Sequence, residues 1–257
     1  MIGKFGQIQY RIIEGPLNVG NQIKKNYREK EKPFSLPSNE QSSKSNLDRI
    51  ISKEMNRLSI KYFKGREFKN NETSNWIHEY LHDMENFVRN EFPDYKFFLY
   101  VFAQGKNCNS FWISNRHIYF SETDGNISEL YEDKILCYSY LMYIKRKNFS
   151  SENSLTDFEN YIKPKMKKTF NSYLFKRKYD HKEFEDYING MGDEFEREIQ
   201  NYGGKICSKI IIIFLKKPVN CYSFTWKWLS GNKTNKFYEK YDGEYTGCLG
   251  IIGSCFP

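Results

Sequence analysis

His78-Glu79-Tyr80-Leu81-His82 is the stretch of this chain whose residue types and spacing come nearest to a catalytic pattern. Two histidines in His-Glu-x-x-His lie one turn apart on a helix, where both imidazoles can bind zinc while the Glu acts as general base. The neighbourhood opposes that chemistry. Asp83 directly follows the second His, no third ligand is spaced convincingly downstream, and the residues beyond read as a strand rather than the helix that would supply one. The competing structural account makes both histidines polar positions on the solvent side of an amphipathic helix. A zinc metalloprotease is therefore carried only as an alternative.

Aromatic residues at Phe111, Trp112, Phe224, Trp226 and Trp228 form the second candidate. Beside Lys-rich loops they could stack the bases of single-stranded nucleic acid. The same residue types fill sheet cores and dimer seams. A net charge of +8 and a pI near 9.0 permit an acidic partner without choosing one. Charged residues are 28% of the chain and mixed in sign, as on an ordinary solvated surface. Six cysteines (Cys108, Cys137, Cys207, Cys221, Cys248, Cys255) form no C-x-x-C pair and no cluster with His, so they read as reduced thiols. No glycine-rich loop follows a strand in phosphate-binding form, and no Ser or Cys nucleophile has a base patterned near it. No apolar run approaches the roughly 18–20 residues that span a bilayer, and the start of the chain does not resemble a signal peptide; the expectation is a cytoplasmic protein.

The elements that must position these residues come twice. Ile51, Met55 and Tyr62 return as Ile162, Met166 and Tyr173 after 111 residues, and Tyr80, Leu81 and Met84 return as Tyr187, Ile188 and Met191 after 107. Cys137 returns as Cys248 after 111, and Phe98, Tyr100 and Phe102 align with Ile210, Ile212 and Phe214 after 112. A duplicated small module of this size points to binding rather than catalysis. The sequence divides into an extended or disordered arm over 1–45, a first module over 46–150 and a second over 151–257. In the arm, the alternation of Ile8, Tyr10 and Ile12 would also allow a strand added to a sheet edge.

Each module carries two helices followed by four strands. In the first, Leu47, Ile51, Met55, Leu58 and Tyr62 put one stripe on a helix that Gly65 ends. A second helix spans about Thr73 to Glu91, with Thr73 or Ser74 as its cap. Strands are expected near Tyr95–Phe102, Asn109–Phe120, Ile127–Tyr131 and Ile135–Ile144. In the second, the helices carry Phe158 to Tyr173 and Phe184 to Ile199, and the strands lie near Ile206–Leu215, Tyr222–Trp228, Lys236–Tyr241 and Tyr245–Cys255. Pro164 implies that the third helix begins later than Leu155 or kinks.

Trp76, Tyr95-Lys96-Phe97, Thr123-Asp124-Gly125 and Tyr131-Glu132-Asp133-Lys134 stand in an order and spacing that resemble the Tctex-type dynein light chains. The resemblance covers roughly 47–145, and 155–257 through the internal repeat. It implies an α+β fold: two tandem modules, each of two helices on a four-stranded antiparallel sheet, exchanging their second strands as an intramolecular pseudo-dimer. It also implies a non-enzyme without cofactor, small-molecule substrate or membrane attachment, belonging to a microtubule motor complex of the cytoplasm, cytoskeleton or ciliary axoneme. Expected partners are a dynein intermediate chain, other dynein light chains or a related scaffold, bound as an added strand. The edges so implied are Ser110, Phe111, Trp112, Ile113 and Ser114 in one module and Tyr222, Phe224, Trp226 and Trp228 in the other. A basic nucleic-acid-binding module is the alternative.

Overall fold

The computed structural model describes residues 8–14, 38–105, 111–118, 124–145, 153–177, 181–202, 207–216, 222–229, 235–244 and 246–255. The elements run β1 (Ile8–Glu14), α1 (Ser38–Phe63), α2 (Asn70–Glu91), β2 (Tyr95–Gly105), β3 (Phe111–Ile118), β4 (Gly125–Glu132) and β5 (Ile135–Lys145). They continue with α3 (Asn153–Leu174), α4 (His181–Asn201), β6 (Cys207–Lys216), β7 (Tyr222–Leu229), β8 (Asn235–Asp242) and β9 (Thr246–Cys255).

Every strand pairing is antiparallel, and each of the two halves lends one strand to the other. One sheet has the order β4-β5-β2-β7 and the second β1-β3-β6-β9-β8. β3, from the first half, pairs with β6, while β7, from the second, pairs with β2. The expected α+β pseudo-dimer is present in both halves, and β1 adds a fifth strand to one sheet.

Apolar stripes decide the layering. Ile51, Met55 and Leu58 of α1 and Ile77, Tyr80, Leu81 and Met84 of α2 pack on Phe97, Leu99 and Val101 of β2 and Cys137 and Leu141 of β5. In the other half, Ile162, Met166, Phe170, Ile188, Met191 and Phe195 pack on Ile210, Ile212, Phe214 and Cys248. A third cluster lies between the sheets, where Phe98, Tyr100, Phe102, Tyr140 and Met142 meet Ile113, Ile211, Ile213 and Ile251. Both faces of β2 and β6 are thus buried, as a near-continuous apolar run demands.

This layering corrects the alignment of the two halves. Phe98 belongs to the inter-sheet cluster and Ile210 to a helix-facing one, so they are not equivalent. Leu99 is the counterpart of Ile210, which makes the shift 111 residues from β2 to β6 and from β5 to β9, and 110 from β4 to β8. A one-residue slip exchanges the faces of a strand, and a run apolar on both faces conceals it. With that register, β3 and β7 are related by 111 as well: Arg116 stands opposite Ile210, and Lys227 opposite Leu99. The left-handed residue after each first helix obeys the same shift, Gly65 at φ 71° and Lys176 at φ 56°.

Three helix boundaries differ from the sequence expectation. α1 starts at Ser38, ahead of its apolar stripe. α2 starts at Asn70 with Lys69 as N-cap residue, and the Thr73 hydroxyl, inside the helix, accepts the Lys69 N–H at 3.1 Å instead of capping it. α3 runs unbroken through Pro164 from Asn153. Pro164 and Asn160, whose carbonyl loses its helical donor, are both exposed, so water can take the vacant acceptor.

Gly250 in β9 lets α3 approach its sheet closely. A Cβ there would stand 2.6 Å from Phe170 Cζ and 3.0 Å from Met166 Cε. Gly250→Val is expected to cost about 1–3 kcal/mol by overpacking. Urea unfolding should show a lower midpoint for the variant, partly restored by Phe170→Leu; an unchanged midpoint contradicts the close packing.

Candidate functional site

Swapping creates two pseudo-equivalent strands whose outer sides could take a further strand, and their occupancy differs. β7 has β2 as its sole paired neighbour among the described residues. β3 is flanked on both sides, by β6 and by β1, with Ile8 opposite Ile118 and Glu14 opposite Trp112. The outer side of β3 is thus taken by a strand of the arm, whereas among the described residues that of β7 is paired with none. Ser110 lies outside the described residues. Phe111 and Trp112 begin β3, Ile113 is buried between the sheets, and Ser114 is buried opposite Ile12.

Along β7, Tyr222, Phe224, Trp226 and Trp228 stand opposite Gln104, Phe102, Tyr100 and Phe98. Their rings pack against the inter-sheet core. Phe98 and Trp228 meet edge to face at 5.2 Å between centroids, Tyr100 and Phe224 tilted at 5.5 Å, and Phe102 and Tyr222 stacked at 6.0 Å. They are half-buried, with part of each ring turned against the inter-sheet core. Trp226 also meets Tyr238 of β8 edge-on at 6.0 Å, and Tyr238 is 56% exposed. The open side of β7 is thereby bordered by an aromatic lip from the other sheet. Sequence reading missed Tyr238, because a Tyr beside Phe237 in a short strand of mixed charge carries no signal of its own. Burial pushes the Tyr222 phenol up, with Asp242 adding to the shift.

Opposite-face residues of the swapped strands hold each one to the other half's helix. Arg116 of β3, 3% exposed in its side chain, pairs through Nη1 with Asp193 Oδ1 at 2.5 Å and Glu196 Oε1 at 3.1 Å, and its Nη2 donates to the Asn189 carbonyl at 2.9 Å. All three partners are on α4. Gly192 makes room, since a Cβ there would collide with the guanidinium. Burial pushes Glu196 up and the Arg116 charge pulls it back down. Lys227, at the equivalent place on β7, pairs with Glu85 of α2, which also accepts from Arg89 Nη2 at 2.5 Å. A cation repeated at a shift of 111 was the available signal, and it reads as a solvent-facing charge until the swap is known.

Between the sheets, the Tyr100 hydroxyl donates to Asn115 Oδ1 at 2.6 Å, and Asn115 Nδ2 donates to the Tyr138 hydroxyl at 3.4 Å. Lys209, fully buried, sits over the Tyr140 ring at 3.5 Å. These contacts tie polar groups from both halves into one interior.

His78, Glu79 and His82 are exposed on α2. His82 Nδ1 contacts Asn86 Nδ2 at 3.3 Å, and among the described residues no group of three or more His, Cys, Asp or Glu could hold a metal ion. Cys137 and Cys248 are buried on the helix-facing sides of β5 and β9, where burial raises both thiols out of the reactive range. No helix of the described residues is long and apolar enough to cross a membrane.

Residues 42–144 match the model of the Tctex-1 family. A comparison with curated proteins found no match.

Proposed function

We propose that this protein, whose residues 42–144 match the model of the Tctex-1 family, is a non-catalytic dynein-light-chain-like subunit that holds an extended segment of a partner by strand addition to β7. The observation that carries this is the swapped strand itself. Its inner side is paired to β2, and its outer side presents a row of main-chain donors and acceptors beside half-buried aromatic rings. Such an edge binds an extended peptide through backbone hydrogen bonds, while flanking pockets set the sequence preference. Phe224, Trp226, Trp228 and Tyr238 supply those pockets.

The family supports a dynein light-chain role, and from that follow the finer assignments we put forward: a dynein intermediate chain or cytoskeletal scaffold as partner, other light chains in the same complex, and a cytoplasmic or axonemal cytoskeletal location. The exposed histidines and the turned-in aromatics favour this over zinc hydrolysis or single-strand binding.

A proline scan over residues 223–228 tests the edge. Along an antiparallel edge strand, alternate N–H groups point into the sheet and out to solvent. Proline at an outward position leaves the β2 ladder intact but blocks strand addition; at an inward position it removes a ladder bond. Recovery of dynein intermediate chain by the tagged protein, with nuclease present, should fall at every second position, and the melting temperature should fall at the intervening ones. Recovery that ignores this two-residue period excludes strand addition at β7.

A further inference from the structure

The chain carries its own ligand for one of its two swapped strands. β3 and β7 are related by the 111-residue shift and make the same inner pairing, β3 to β6 and β7 to β2. The outer side of β3 is nonetheless paired along all of β1, seven residues from Ile8–Ile118 to Glu14–Trp112. β1 belongs to neither repeat, since no strand precedes α3 among the described residues in the manner that β1 precedes α1. It is an appended strand with apolar residues at Ile8, Tyr10, Ile12 and Ile13, in the place where a partner strand would lie on an otherwise equivalent edge.

We propose that β1 is an intramolecular occupant that closes the β3 edge, so that the protein takes one partner strand, at β7, where a light-chain dimer with two open edges would take two. Resting on the strand-addition assignment above, it adds the stoichiometry and a means of changing it. Tethering sets the effective concentration of β1 at its edge on the order of millimolar. A free peptide at micromolar concentration must then bind the bare edge about a thousandfold better than β1 does to displace it. Anything that draws residues 8–14 away would open a second site on the same molecule.

Full-length Arg11→Pro/Ile12→Pro tests this, because of two consecutive residues in an antiparallel strand one donates its N–H to the neighbouring strand. Gln9→Pro/Tyr10→Pro serves as a second pair should the first perturb folding. The probe is a synthetic peptide of residues 6–16 of this chain, and the readout is amide hydrogen exchange resolved to 111–118 and 222–229. Exchange of 111–118 should quicken at least tenfold in the variant, return to the wild-type rate with saturating probe, and not respond to the probe in the wild-type protein. Equal exchange of 111–118 in variant and wild type overturns the proposal, as does failure of the probe to restore protection. The outcome at 111–118 is independent of whether a dynein segment protects 222–229, so failure of the β7 assignment would be seen separately.

Discussion

Arg116→Ala is expected to lower the unfolding free energy by about 3–5 kcal/mol, the cost of stranding a buried charge whose partner has been removed. The guanidinium is 3% exposed and spans Asp193, Glu196 and the Asn189 carbonyl, all on a helix of the other half. Asp193 is 63% exposed and can be hydrated once Arg116 is gone. Glu196, 10% exposed, cannot. The loss should therefore depend on pH in a defined direction. Burial already holds the folded Glu196 carboxyl above its ordinary value, and Arg116 opposes that. A carboxyl raised on folding binds protons more tightly in the native state, so stability is greatest below its unfolded pKa and falls as pH rises through the folded one. Removing Arg116 raises the folded value further and deepens the fall. Urea unfolding at pH 5 and pH 8 should show the larger penalty at pH 8, and Glu196→Gln should recover part of it. A penalty equal at both pH values rejects this account. Lys227→Ala should cost less, because Lys227 is 48% exposed and Arg89 stays on Glu85.

The parts of this fold that could be read from the chain are those where period and polarity speak together. Ile51, Met55 and Leu58 recur at helical spacing and face one core. The 111-residue shift from Ile51 to Ile162 revealed the duplication, and the resemblance centred on Trp76 to Lys134 supplied the strand exchange. What failed has physical causes. Phe97 to Phe102 is apolar on both faces, so alternation could not fix which residues look toward the helices, and the repeat was set one residue out in β2. Ser38 to Ser45 offers no apolar stripe, yet it extends α1. Arg116 and Lys227 look like surface charges in a linear sequence, and only exchange of β3 and β7 brings them to foreign helices. The same exchange explains the aromatic content of β7: the rings that suggested a stacking platform are partly buried against the inter-sheet core.

Cutting the chain at residue 150 is expected to give two fragments that do not stand as monomers. Residues 1–150 retain α1, α2 and β2 to β5, but β3 would have lost β6, and β2 would have lost β7 along Phe97 to Gln104. The inter-sheet face, with Phe98, Tyr100, Phe102, Tyr140 and Met142, would then lie open to water. A contiguous apolar face of that kind associates or aggregates. Residues 151–257 face the same difficulty through Ile211, Ile213 and Ile251. Size-exclusion chromatography of each fragment alone should therefore show self-association, with β3 able to take the place of β7 in a second copy. Mixing should give a one-to-one complex whose thermal unfolding is a single transition that rises with concentration, whereas the intact chain unfolds at a concentration-independent temperature because its halves are tethered. Two folded monomeric fragments without affinity for each other would mean that neither swapped strand is needed, and the single interior that now joins the halves would have to be abandoned. The physical ground for expecting the opposite is that Arg116 and Lys227 find their partners across the cut, and Tyr100 and Asn115 theirs across the sheet pair that the cut opens, so a cut at residue 150 leaves neither half with satisfied charges and covered apolar faces.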